Sequence, residues 1–187
     1  TEESYFRSYR ERDCGLRIIT PNSTVTDPIN LVKLALRQKD NLGVGSISGD
    51  QVWCVFDADK NTDEKIKSAI KLAKGKVKLC LSNPCFELWY LLHFTYFDNT
   101  ISTADLQSKL KQFIPNYDKA GDYFQDLLEK RDNAIKNANK INEKRKSADL
   151  DLLSIRSNPS TLVVELVQQI SETIEENKKR KLLLEKL

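Results

Sequence analysis

Apolar residues recur along this chain with two different spacings, and the point where one spacing disappears divides it. Up to about residue 97, short continuous apolar runs alternate with stretches whose apolar positions lie three and four apart. Beyond that point only the helical spacing remains. Glu2 to Arg12 reads as a short helix with Tyr5, Phe6 and Tyr9 on one side, and Leu16 to Ile19 as a strand followed by a loop at Pro21, Asn22 and Ser23. Asp27-Pro28 opens a second helix, with Asp as the cap and Pro at the first position. Ile29, Val32, Leu34, Ala35 and Leu36 form its apolar side. Gly43, Gly45 and Gly49 mark the next loop.

Gln51 to Asp57 (QVWCVFD) is almost continuously apolar and ends in an acid, the pattern of a strand buried on both faces of a parallel sheet. Thr62 to Lys74 is a helix facing inward through Ile66, Ala69, Ile70 and Ala73. Lys76 to Leu81 is a strand, and Ser82-Asn83-Pro84 is expected to start the next helix. The alternation predicts an α/β fold, a small, mostly parallel sheet with helices on both faces. Residues 1–97 form the expected α/β core and residues 98–187 a helical extension packed on it. The extension comprises Ala104 to Phe113, Tyr123 to about Arg145, and a last helix opened by Asn158-Pro159 that buries Val163, Leu166, Val167, Ile170 and Ile174.

Composition narrows the class without naming a task. The chain has 187 residues, 40% hydrophobic and 30% charged, an ordinary globular mix. A net charge of +3 is compatible with a nucleic-acid partner but does not argue for one. Four cysteines, Cys14, Cys54, Cys80 and Cys85, include no C-x-x-C pair, and with a single histidine a zinc site is discounted. Reduced thiols fit a cytoplasmic setting. No apolar run approaches a membrane span. The absence of any methionine places the natural start upstream of Thr1.

The sharpest chemical feature is Asp57-Ala58-Asp59 after the buried strand. Alternate residues of an extended chain point the same way, so both carboxylates can face one side of a strand's carboxyl end, where α/β sheets bind ligands. Two carboxylates this close repel unless a cation or a proton lies between them, and hard oxygen ligands suit Mg2+ or Mn2+. The bland alternative is a solvated turn, since Asp is a common turn residue. Lys60 beside the pair is a candidate phosphate contact or an ordinary loop lysine.

The second feature is SNPCFELWYLLHF, residues 82–94, a helix apolar almost all round and therefore expected to be buried. Glu87 and His93 are its exceptions. Glu87 in the first turn is either a simple partner of the helix dipole or a metal ligand or its support. His93 is either a hydrogen-bonded core residue or a base or phosphate contact. Asn83 is a supporting candidate at the helix start. On the long helix, Lys130, Arg131, Lys136, Lys140, Lys144, Arg145 and Lys146 form either a solvated face or a phosphate-contacting one. Tyr117-Asp118-Lys119 is a further segment within possible reach of the site.

Taken together and in order, TEESYF, VWCVFDAD, SNPCFELWYLLHF and NPSTLVVELV resemble the RloB-like family, over Thr1 to about Val167. The resemblance implies a Toprim-like domain with Mg2+-binding acids. It implies that Asp57 and Asp59 are the D-x-D pair and Glu87 a further site residue, so that Asp57, Asp59 and Glu87 are the catalytic candidates. It also implies a first strand and an E-G glutamate preceding Thr1, with Glu2 close enough to line the site. The family's setting implies bacterial anti-phage defence, with an ABC-type or SMC-like ATPase as a partner. The expected reaction is metal-dependent hydrolysis of a phosphodiester of DNA or RNA, charge in the pentacovalent transition state being stabilised by the metal. The rival readings are a non-catalytic module that binds nucleic acid or a partner, and a nucleotide-processing enzyme. The lack of any Gly-rich phosphate loop weighs against the last. Homo-oligomerisation is left open.

Overall fold

Helix starts marked by an oxygen-bearing side chain are used as such. In the computed structural model, which describes residues 1–9, 18–20, 25–44 and 49–185, Asp27 Oδ1 accepts the N–H groups of Ile29 and Asn30 and opens α2 (Pro28–Asn41). Thr62 accepts from Lys65 N–H and opens α3 (Asp63–Ala73). Ser102 accepts from Asp105 N–H and opens α5 (Thr103–Leu110). Each cap satisfies backbone donors that have no partner inside the helix. α3 ends at Lys74 in the left-handed region, φ 46°, followed by Gly75 at φ 71°. That reversal needs a residue such as glycine, without a Cβ to clash.

β1 (Trp53–Asp57) and β2 (Lys78–Asn83) pair in parallel, Trp53 opposite Lys78 and Asp57 opposite Ser82, with α3 as the crossover. The mixed α/β class therefore holds. Two expected boundaries shift, for one shared reason. Ser82 and Asn83 do not start a helix; they finish β2 and pair antiparallel with β3 (Ser160–Thr161), Asn83 opposite Ser160. The sheet is thus mixed, in the order β1-β2-β3, and the part beyond residue 97 is not purely helical. Helix α4 (Glu87–Phe94) starts three residues after Pro84, and α8 (Val163–Leu184) four after Pro159. The buried side chains of these two segments bond to each other and to the chain around them. Ser82 Oγ lies 2.9 Å from Thr161 Oγ1, Asn83 Nδ2 donates to the carbonyls of Ser154 and Ile155, and Ser157 Oγ lies 2.7 Å from Ser160 Oγ. Asn142 holds Thr161 by both backbone groups, and Asn158 holds Ile101 the same way. Buried polar groups must be paired, and extended backbone brings these within reach.

Other expectations fare unevenly. α1 spans Glu2–Arg7 and buries Tyr5 and Phe6; residues 10–12 of the expected helix lie outside the described residues. So do Leu16 and Arg17 of the first expected strand, while Ile18 and Ile19 carry no strand structure. Cys14, the loop at Pro21, Asn22 and Ser23, and Gly45 also lie outside. The long helix expected from Tyr123 is two: α6 (Phe124–Leu128) and α7 (Arg131–Ser147), separated where Lys130 N–H turns back to Leu127 O.

α4 lies at the centre, as its composition requires. Every residue from Glu87 to His93 is buried, and Trp89, Leu88, Leu91 and Leu92 are fully so. It packs against α7, α5, β2 and β3, and the buried apolar residues from both halves of the chain form one continuous core. No helix among the described residues is long and apolar enough to cross a membrane.

Candidate active site

Three chain turns meet at the carboxyl end of β1 and β2. β1 delivers Asp57, and the chain then leaves the sheet through a turn pinned by β2: Ala58 N–H reaches the carbonyls of Ser82 and Pro84, and Asp59 N–H that of Pro84. Asn61 Nδ2 closes the turn on the Asp57 carbonyl at 2.6 Å. Asp57 Oδ1 accepts the Phe86 N–H at 2.8 Å, just before α4 begins. Its Oδ2 has no hydrogen-bond partner among the described residues. Asp59 is exposed, and its Oδ2 accepts from Thr103 Oγ1 at 3.0 Å, in the first turn of α5. The pair thus faces the N-terminal ends of α4 and α5, where positive helix ends favour negative charge.

Glu87, on α4, is almost wholly buried. Tyr117 OH donates to its Oε1 at 3.0 Å and Lys119 Nζ stands 3.2 Å from the same oxygen. Burial opposes its ionisation, but the Cys85 thiol, its own backbone N–H and Lys119 outweigh that and hold its carboxyl below the ordinary range. Asp57 has the opposite balance. Burial, then the charges of Glu2, Glu87 and Asp59, push it up to about 8, with only the Phe86 N–H pulling the other way. At neutral pH and without a cation, Asp57 therefore carries a proton.

The sequence candidates separate under this geometry. Glu2, Glu87 and Asp59 all act on Asp57 at one end of the sheet. Lys60 is exposed in the turn after Asp59 and makes no side-chain bond among the described residues. Asn83 is a brace: its amide holds the 154–157 segment. His93 belongs to the core. Its Nδ1 bonds the Trp89 carbonyl at 2.8 Å, and its ring meets the Trp89 indole edge-on. Burial, with Lys130 and Arg131 nearby, pushes it down to about 4, so it stays neutral. Thr103, Tyr117 and Lys119 complete the site. Tyr117-Asp118-Lys119 carries a recognisable mix of polar side chains, but nothing in its spacing shows that it folds over Glu87.

Among the described residues no three His, Cys, Asp or Glu side chains are grouped so as to hold a metal ion by themselves. That excludes an all-protein cage there. It does not conflict with the way Mg2+ is commonly held, by one or two carboxylates with waters and substrate phosphate oxygens. Asp57 Oδ2 and the accumulation of like charge around it fit a cation of that kind.

Comparison with known proteins gives one result. Residues 1–170 match the family model described as RloB-like protein. The chain belongs to the RloB-like family. No curated protein and no solved structure matches it. The family match spans all the site residues, from Glu2 through Asp57, Asp59 and Glu87 to Lys119, and extends through the Asn158–Thr161 segment that completes the sheet.

Proposed function

We propose that this RloB-like protein is a metal-dependent nuclease of the Toprim type, hydrolysing phosphodiester bonds of DNA or RNA. The observation that carries this reading is Asp57: a carboxyl at the end of a buried parallel strand, with three other acids acting on it and one oxygen free. Such a group is costly until a cation reaches it, and a divalent cation with open positions recruits phosphate oxygens. Asp57 and Asp59 would hold Mg2+ or Mn2+, and the metal would supply stabilisation of negative charge on the phosphoryl oxygens. The chain's own contributions are then distinct. The Phe86 N–H fixes Asp57, Thr103 fixes Asp59, Tyr117 donates to Glu87, and the Cys85 thiol, the Glu87 backbone N–H and Lys119 favour its ionised form. Glu87 orients from within the protein, since both donors already engage Oε1. Water is the attacking group.

The family supports a setting in bacterial anti-phage defence, in the cytoplasm, with an ABC-type or SMC-like ATPase as the partner. A second reading, a non-catalytic module that binds nucleic acid or that partner, draws on the same acids: with Glu87 already neutralised by Lys119, few ligands remain for catalysis. One assay separates them. The full-length protein and Asp57→Ala are incubated with mixed DNA and RNA in Mg2+ or Mn2+. Cleavage that disappears in the variant establishes the nuclease. Metal binding by the wild-type protein without cleavage, in the presence of the ATPase and its nucleotide, would leave the binding module.

A further inference from the structure

Lys119 is held in place by more than its ion pair. Thr1 Oγ1 donates to its carbonyl at 3.0 Å. On either side the loop is braced by its own bonds: Asp118 N–H to Tyr123 OH at 2.8 Å, Ala120 N–H to Asp118 Oδ1 at 2.7 Å, and Gly121 N–H to the Asp118 carbonyl. The Tyr117, Tyr123 and Tyr90 rings pack against one another beneath it. From this base the ammonium reaches Glu87, yet the side chain is 59% exposed while that of Glu87 is 2% exposed. The lysine thus stands at the mouth, above a buried acid. Glu87 does not depend on it for a donor, because Tyr117 OH serves the same oxygen. An ammonium has three donors, and the bond to Glu87 uses one. Lys119 Nζ is a cation seated directly on one of these acids, Glu87, whereas Lys60, exposed in the turn after Asp59, is bonded to none of them.

Building on the nuclease reading, we propose that Lys119 is the residue that grips the backbone phosphate of the bound nucleic acid, donating to its non-bridging oxygen from the position it now holds against Glu87. Glu87 is buried and keeps only the Tyr117 OH as a side-chain donor when the lysine is truncated, so the melting temperature of Lys119→Ala is measured first and binding is read well below it, with Lys119→Arg retaining the charge.

The test uses the full-length protein, Lys119→Ala and Lys119→Arg. A labelled oligonucleotide is titrated by fluorescence anisotropy across a salt series, with Ca2+ replacing Mg2+, and Mn2+ binding and cleavage are measured on the same proteins. Loss of one phosphate contact lowers the slope of log K against log salt by about 0.7 to 0.9. The expected result is that loss in Lys119→Ala, with affinity down roughly tenfold, and near-complete recovery in Lys119→Arg. An unaltered slope overturns the proposal. So does Mn2+ binding tightened tenfold together with faster cleavage, which would make Lys119 a competitor for the acids. If the wild-type protein binds but never cleaves, the nuclease reading falls while the slope still decides the role of Lys119. If it binds no oligonucleotide, the phosphate contact falls as well.

Discussion

The carboxyl end of the sheet and helix α7 both gather charged residues, and their charges meet opposite fates. On α7 nearly every cation is engaged by the chain itself. Lys130 lies over the Phe94 ring and Lys140 over Tyr96, at 5.7 and 4.2 Å from the ring centres. Lys144 pairs with Asp98, and Arg145 donates to the carbonyls of Asp98 and Pro159. Lys146 pairs with Glu143, and Arg131 acts on Tyr9. Lys136 has no partner among the described residues. The row of bases is therefore largely a clamp on residues 94–98, the segment that carries the chain from α4 toward α5. At the sheet end, burial and the charges of Glu2, Glu87 and Asp59 push Asp57 up to about 8. Charge that the fold neutralises is structure; charge that the fold concentrates and leaves uncompensated is where a ligand is needed.

The comparison is tested most severely at Asp57. Asp57→Asn keeps the Phe86 N–H partner and removes the charge, so metal-dependent cleavage should fall on the order of a thousandfold. Stability should move the other way. The folded pKa, about 8, lies above the ordinary 3.8, so the native state binds this proton more tightly than the unfolded chain. The contribution of Asp57 is then full below about pH 4 and lost as the pH rises through about 8. Without added metal, Asp57→Asn should be more stable than wild type at pH 8.5 by roughly 2 kcal/mol, and the gap should close toward pH 4. Melting curves at the two pH values measure this. Mg2+ should raise the wild-type melting temperature more at pH 8.5 than at pH 5.5, and that of the variant at neither. A variant no more stable than wild type at high pH would mean that the acids are not in conflict.

Much of this was legible in the sequence, and the reasons are physical. The run QVWCVFD marks a strand and SNPCFELWYLLHF a central helix, and both form there, although β1 is fully buried on one face only, through Cys54 and Phe56, with Trp53 and Val55 partly buried on the other. The acid pair was legible because it ends a strand. β3 was not: two residues that pair with the end of β2 carry no period, and Asn158-Pro159 imitates an ordinary helix start. Thr103 was missed, and Tyr117-Asp118-Lys119 was a candidate without a place to dock, for a related reason. Asp59, the partner of Thr103, and Glu87, the partner of Lys119, are 44 and 32 positions away, and nothing local records such a distance. For His93 and Asn83, one chain gives no means of separating a buried brace from a reactive group; only the hydrogen-bond partners do.

A smaller effect is expected at the strongest point of the α7 clamp. Arg145→Ala removes donors from two carbonyls, of Asp98 and of Pro159, on segments that flank α5 and β3. The expected loss is about 1 to 2 kcal/mol in chemical denaturation, with cleavage and Mn2+ affinity retained under conditions where the variant is folded. Loss of cleavage at full stability would show that Arg145 serves the ligand and would move it from clamp to site.

The smallest effect is the most discriminating. Lys140 is exposed, and among the described residues it lies over the face of the partly buried Tyr96 ring. An exposed cation over such a ring is worth about 0.5 kcal/mol, so Lys140→Ala should lower the melting temperature by about 1 to 2 °C. It should leave the salt slope of oligonucleotide binding where it was. By contrast, Lys119→Ala changes the slope. The two lysines carry the same charge on similarly exposed side chains and differ in what lies beneath them: an aromatic ring in one case, a buried carboxylate beside Asp57 in the other. If Lys140→Ala also lowers the slope by about 0.7 to 0.9, α7 contacts phosphate as well, and its engagement with residues 94–98 is a resting arrangement that nucleic acid displaces.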